Sequence, residues 1–276
     1  MNNRTEFPIL LYLYCITYNK PEIKESAGRM DAPYCIKYKD IYAVVSNVSS
    51  KDFSEKYIEN NISNIEWLEK KVRIHDCTIN EIMSGKNITA LVPFKFATVF
   101  FDENSLKSFL NKYYDSLVAT LDSLINKEEW GVKIFYDKKL LEKSILSDDP
   151  NVKKFDDEIN SSSPGKGYLL KKKKKELVET LLHVKTSEYG KECFVQLKKL
   201  SLQTKINKLQ SKELTGKDND MILNAVFLVD IHNISQFTDS VLDLKNRFNP
   251  RGFDIECTGP WPAYNFCKIV ENKMGV

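Results

Sequence analysis

Three histidines, six cysteines, a run of five lysines and several acidic pairs are the side chains here that could do chemistry. A histidine can move a proton near neutral pH or ligate a metal through a ring nitrogen. His75 continues the apolar stripe of Leu68, Val72 and Ile79. A hydrogen-bonded core histidine is the plain reading of that position. A pH-sensitive or catalytic group is the sharper one. His183 and His232 are remote in sequence, and no HExxH or HxH spacing occurs, so the chain shows no metal-site pattern. Cys15, Cys35, Cys77, Cys193, Cys257 and Cys267 form no CxxC pair. Most sit in apolar contexts that suit reduced, buried thiols. Gly165-Lys166-Gly167 and Gly216-Lys217 are too short for a phosphate loop. No serine lies in GxSxG. The pairs Glu128-Glu129, Asp148-Asp149 and Asp156-Asp157 fall in polar connections, where solvation is expected. No catalytic, cofactor-binding or metal-ligating residue is assigned.

Two groups could instead recognise a partner. Lys171 to Lys175 are consecutive at the start of an expected helix, so they wrap most of its circumference. They read either as a solvated face or as an electrostatic contact with an acidic protein or nucleic acid, with Lys171, Lys172 and Lys173 as candidates. No aromatic platform accompanies them, which weakens a single-strand RNA reading. The second group is Trp261, Tyr264 and Phe266. They either plug the end of the C-terminal core and hold two domains together, or form a partner hot spot, where Trp and Tyr are enriched. The net charge of +3 does not suggest a dedicated nucleic-acid binder. No apolar run is long enough to cross a membrane, and Met1 to Glu6 does not read as a signal peptide. The expectation is a soluble cytoplasmic protein.

Its 276 residues suit two domains. Ile9 to Thr17 and Ile41 to Val48 read as strands. A helix runs from about Ser54 through Trp67, with Ile65, Leu68, Val72, Ile79 and Ile82 at helical spacing, and Gly85 is placed as its left-handed cap. Short strands are expected over Ile88–Val92 and Phe96–Phe101, and a helix over Ser105–Asn126 with Leu106, Phe109, Leu110, Tyr113, Leu117, Leu121 and Leu124 on its stripe. The boundary is placed so that residues 1–127 form an N-terminal α+β domain and 128–276 a C-terminal one. Trp130–Tyr136 opens the second as a strand. A polar insertion follows, with a helix from Gly167. Over Cys193–Leu209 the alternation of Phe194, Gln196 and Lys198 favours a strand, although Leu197, Leu200 and Leu209 also suit a helix. Met221–Asp230 reads as a strand, Ser235–Arg247 as a helix and Phe253–Thr258 as the last strand, ended by Gly259 and Pro260. The second half thus has a β-α-β-β-α-β, modified ferredoxin-like order with extra helices.

The final stretch, Gly259-Pro260-Trp261-Pro262-Ala263-Tyr264-Asn265-Phe266, resembles the GPWPxYNF signature of the GvpL/GvpF family of gas vesicle accessory proteins. Other segments resemble that family in order. They are Leu11–Ile16, Trp67-Leu68-Glu69 to His75, Pro93–Thr98 (its PxRFGT), Glu129-Trp130-Gly131-Val132-Lys133, Gly165–Leu169 and Leu223–Val229. Lys95 and Ala97 stand where the family has Arg and Gly. The resemblance implies a non-enzymatic factor, without cofactor, that binds the shell protein GvpA and other accessory proteins. It also implies support for nucleation and assembly of the gas vesicle, with the cytoplasm and the gas vesicle as its locations. An enzyme binding a small ligand, or an RNA-binding module, on a ferredoxin-like scaffold is the alternative. An RNA module would need exposed aromatics on its central strands.

Overall fold

The computed structural model describes residues 7–23 and 31–267. The chain divides into two compact units. Residues 1–128 and 261–276 make the first, and residues 129–260 the second. The sequence patterns run the second domain to the C-terminus; the segment from Trp261 onward instead belongs with the first unit.

The first unit is built on β1 (Ile9–Thr17), β2 (Tyr34–Tyr38), β3 (Ile41–Ser49), β4 (Leu91–Pro93) and β5 (Val99–Phe100). β3 pairs antiparallel with β1 on one side and β2 on the other. β4 and β5 both pair antiparallel with β1. Since β3 occupies one edge of β1, they share the other. The helices are α1 (Ser50–Phe53), α2 (Glu55–Ile62), α3 (Ile65–Met83) and α4 (Glu103–Leu124). α3 starts where the Asn64 side chain accepts from the Trp67 N–H, and α4 where Asp102 and Ser105 cap each other. One core joins Leu10, Tyr12, Tyr14 and Cys15 of β1 to Phe53, Ile79 and Ile82. α4 packs against β1, β4 and β5 through the stripe expected for it.

The second unit contains β6 (Lys127–Tyr136), α5 (Lys138–Asp148), α6 (Pro150–Asn160), α7 (Pro164–Lys198), β7 (Gln203–Ile206), α8 (Lys212–Thr215), β8 (Asp220–Asp230), α9 (Ile234–Phe248) and β9 (Phe253–Trp261). Its strand order, β7-β8-β6-β9, puts the first strand between the third and the fourth. That is the split β-α-β arrangement expected, with α5 and α6 as the added helices. The core gathers Val132 and Ile134 of β6, Ala225 and Phe227 of β8, Val178, Leu182, Cys193 and Leu197 of α7, and Phe237, Val241 and Leu244 of α9.

Several local expectations are corrected. Cys193 to Lys198 are helical, because Val178, Leu182, Thr186, Gly190, Cys193 and Leu197 form one buried stripe at spacings of three and four. The strand there is only Gln203–Ile206. The helix expected from Ser54 is two helices, α2 and α3, interrupted at Ser63-Asn64, and the short α1 precedes it. β2 was not anticipated. Gly85 is not left-handed; Ser84 caps α3 in the right-handed region. β9 continues through Gly259 and Pro260 to Trp261, so the last strand does not end where the glycine and proline suggested.

Gly252 does need its glycine. Its φ is +89°, and a Cβ would lie 2.9 Å from Leu140 Cβ and 3.1 Å from the Leu141 nitrogen. Its carbonyl accepts from Asp137 N–H at 2.7 Å. Gly252→Ala is expected to destabilise the chain by roughly 2 kcal/mol or more, from backbone strain plus the clash. Urea denaturation with an unchanged midpoint would contradict this.

Candidate functional site

His75 and Tyr264, which the sequence singled out separately, meet in the first unit. Tyr12, Tyr14 and His75 are there, with Tyr264 from the terminal segment. β1 supplies the tyrosines. A bulge between Leu13 and Cys15 in the β1–β3 register falls at Tyr14, and bulges re-aim side chains. The Tyr14 ring stacks on His75 with centroids 5.8 Å apart. Its hydroxyl is 3.0 Å from Ser46 Oγ.

A second irregularity faces the same ring. Phe94 N–H donates to the Tyr14 carbonyl and Leu13 N–H to the Thr98 carbonyl. Between those two bonds β1 advances one residue and the partner strand four. Lys95, Phe96 and Ala97 are therefore extruded from the ladder. Phe96 stands edge-on to His75 at 5.9 Å and packs near Phe53 and Trp67. Ala97 takes φ +65°, a conformation glycine adopts freely and alanine at a cost of about 1–2 kcal/mol. Lys95 is exposed.

Tyr12 Oη lies 2.9 Å from His75 Nδ1 and accepts from the Ala97 N–H at 2.9 Å. Tyr12 is only 2% exposed. Among the described residues, Nδ1 is the acceptor within reach of its hydroxyl proton. Pairing that proton makes Nδ1 an acceptor, which puts the ring hydrogen on Nε2. Nε2 then donates to Tyr264 Oη at 3.0 Å. Burial lowers the His75 pKa, against the opposing charge of Asp76 and the nearby Phe94 carbonyl. Burial likewise raises the phenols of Tyr12 and Tyr264. All three groups are held neutral, as the chain of hydrogen bonds requires. A cavity beside the ring, lined by Tyr12, Tyr14, Phe53 and Ile74 among others, has a volume of about 20 Å³, room for roughly one water.

The arrangement is a clasp. Tyr264 N–H donates to the Pro262 carbonyl and Phe266 N–H to the Ala263 carbonyl, so two tight turns deliver the Tyr264 hydroxyl. Phe266 is buried at 9% exposure, whereas Trp261 is 47% exposed. Lys171, Lys172 and Lys173 lie exposed on α7 in the second unit; Lys174, next to them, pairs with Asp156 at 2.6 Å. Tyr168 and Leu169, just before them, are also exposed. Phe135 of β6 and Phe227 of β8 are buried, and Trp130 and Tyr136 of β6 are partly buried against the same core. No group of three His, Cys, Asp or Glu that could hold a metal occurs among the described residues. No described helix is long and apolar enough to cross a membrane. Cys15 and Cys193 are buried, but Cys77 is exposed, against the general expectation for the thiols.

The clasp joins the segments that carried the family resemblance: the first strand, the helix that bears His75, the extruded Phe96-Ala97 and the terminal Tyr264. The sequence profile described as gas vesicle synthesis protein GvpL/GvpF matches residues 10–268. The chain belongs to the GvpL/GvpF family. It is 25% identical to gas vesicle protein L of a Streptomyces species, over 96% of this chain and 95% of that one. It is 23% identical to gas vesicle protein F1 of Halobacterium salinarum, over 89% and 85%. The crystal structure of GvpF from Anabaena sp. PCC7120 has the same fold, with a TM-score of 0.68 at 20% identity, covering 94% of this chain and 98% of that one.

Sequence reasoning singled out His75 and Tyr264 separately but missed Tyr12 and Tyr14 as their partners. The signal was two tyrosines at a spacing of two inside an apolar strand, hence on one face, where a buried hydroxyl must find a partner.

The clasp of this GvpL/GvpF chain has measurable consequences at His75 and at Ala97. Because His75 has a lowered pKa when folded, its contribution to stability is whole above the unfolded value of about 6.5. It declines as pH falls from there to the folded pKa, and is flat below it. His75→Gln should flatten that slope in denaturation measured between pH 7.5 and pH 5 (roughly the window set by the histidine pKa); an identical slope would contradict the clasp. Ala97→Gly should raise stability by on the order of 1 kcal/mol by removing strain at φ +65°. A lower melting temperature would show that the strain is not there.

Proposed function

We propose that this chain is a gas vesicle assembly factor that acts by binding rather than by catalysis. It holds the shell protein GvpA, and contacts other accessory proteins, until apolar shell surface is added to the growing wall. Membership of the GvpL/GvpF family across residues 10–268 carries the reading. The geometry supports it in two ways. Both ring nitrogens of His75 are engaged in holding the clasp, so the one buried histidine has a structural task. Large apolar side chains stand in solvent instead: Phe101, Tyr168, Leu169, Leu214 and Trp261. Exposed apolar surface of this kind marks interaction sites. A shell subunit with sticky faces needs such a partner before it is built in. The protein would then work in the cytoplasm and at the gas vesicle.

Trp261 and the Tyr168–Lys173 stretch of α7 are the contacts proposed for accessory partners. Lys171, Lys172 and Lys173 would add charge complementarity there. Tyr264, bonded to His75, and Phe266, buried, are assigned to fixing the terminal segment that follows Trp261. Co-expressed GvpA should be captured by the purified chain well above an unrelated α+β control. Trp261→Ala should weaken capture of GvpA or of an accessory partner by about tenfold, the scale of an aromatic hot spot. Neutralising Lys171, Lys172 and Lys173 should reduce its salt dependence. Capture no better than the control for every gas vesicle partner would refute the proposal.

A further inference from the structure

The edge of the first unit's sheet at β5 has the form of a slot. In the antiparallel register Leu11 faces Phe100 and Tyr12 faces Val99. The Leu13 N–H to Thr98 carbonyl bond fixes the phase of this ladder. Phe100 directs its backbone groups to β1, as Thr98 does its carbonyl, while the Thr98 N–H turns to the Lys95 carbonyl; Val99 therefore directs its N–H and C=O away from β1, and the chain leaves the strand at Phe101. Among the described residues those outward N–H and C=O groups have no backbone partner. The two faces of this edge are walled. Phe53, Ser54, Glu55 and Lys56 of the α1–α2 junction stand on one side, with Ser105, Ser108, Phe109, Lys112 and Tyr113 of α4 on the other. The groove so formed has a volume of about 850 Å³, within the usual range for ligand clefts.

Open edges invite pairing, and proteins usually blunt them with charge or proline. β5, the two residues Val99 and Phe100, carries neither. Phe101 is 71% exposed, and Phe100, Phe109 and Tyr113 form a continuous aromatic wall. Lys56 and Lys112 make no ion pair among the described residues, and Glu55 is the one acid in the lining. The unpaired cations outnumber the acid.

We propose that the β5 edge accepts an extended segment of a partner protein as an added antiparallel or parallel strand. That segment carries aliphatic side chains at alternate positions and a carboxylate near one end. Outward backbone groups select a strand over a helix. Phe53 in one wall and Phe109 and Tyr113 in the other take the aliphatic side chains that alternate between the faces of the added strand. Lys56 and Lys112 take the carboxylate. This deepens the assembly reading by naming a binding mode for an apolar shell-protein segment, and rests on that reading only for the partner's identity.

The probe is a short labelled peptide of alternating threonine and valine ending in aspartate, titrated against the full chain. Its companion carries N-methyl groups on consecutive central residues, threonine and valine alike, so that neither of its edges can pair. The plain peptide should bind, with the N-methylated one weaker by about tenfold or more, equivalent to one or two hydrogen bonds. Phe101→Ser, at an exposed position that leaves the core untouched, should weaken the plain peptide by about fivefold or more, because the added strand no longer buries that ring. Lys112→Gln should do so only for the peptide with a free carboxylate. Equal affinity for both peptides, or no binding by the wild type, would overturn the slot. Capture of GvpA that persists in Phe101→Ser and under excess peptide would also overturn it, while leaving the assembly reading intact. Peptide binding of the expected pattern without GvpA capture would support the slot and refute the assembly reading alone.

Discussion

The chain of hydrogen bonds from the Ala97 N–H through Tyr12 and His75 to Tyr264 is the constraint on which the first unit depends. Each bond fixes the next. The amide can only donate, the buried phenol must pass its proton on, and the imidazole must stay neutral to receive it. The extruded Phe96-Ala97 segment, the bulge at Tyr14 and the terminal turns each make sense as ways of bringing one more group to that ring. Low polarity around the ring makes these bonds strong and an orphaned member costly. The polypeptide leaves this unit after Glu128 and rejoins it at Trp261, so residues far apart in sequence complete a single core.

Both ring nitrogens of His75 are taken up by the clasp, so its buried neutral imidazole does structural work. The large apolar residues that remain in solvent are distributed over both units, on α7 at Tyr168 and Leu169, on α8 at Leu214, and beyond β5 at Phe101. A protein that binds several others could use them separately. Membership of the GvpL/GvpF family supplies the biological setting, gas vesicle synthesis.

Much of the fold was readable because period and burial agree. The stripe of Leu106, Leu110, Leu117 and Leu121 and the alternation near Phe253 each have a single consistent interpretation. Where they conflicted, tertiary packing decided. Phe194 and Gln196 alternate like a strand, but Gly190, Cys193 and Leu197 extend the buried face of α7 by almost two turns. Gly259 and Pro260 looked like a strand end because proline lacks a donor, yet an edge strand such as β9 tolerates that loss. The clasp was only half legible. His75 and Tyr264 stood out by type, but their partnership spans nearly the whole chain and depends on two strand irregularities that no periodicity reveals. The slot at β5 was invisible for the same reason, since it depends on ladder phase.

Amide hydrogen exchange on the full chain, with and without GvpA, tests the central claim of assembly by binding most directly. The account predicts slowed exchange on adding GvpA at the outward-facing amide of Val99, while the amide of Phe100, already bonded into the β1 ladder, changes little. Exchange that is the same at every amide in the presence and absence of the shell protein would contradict it.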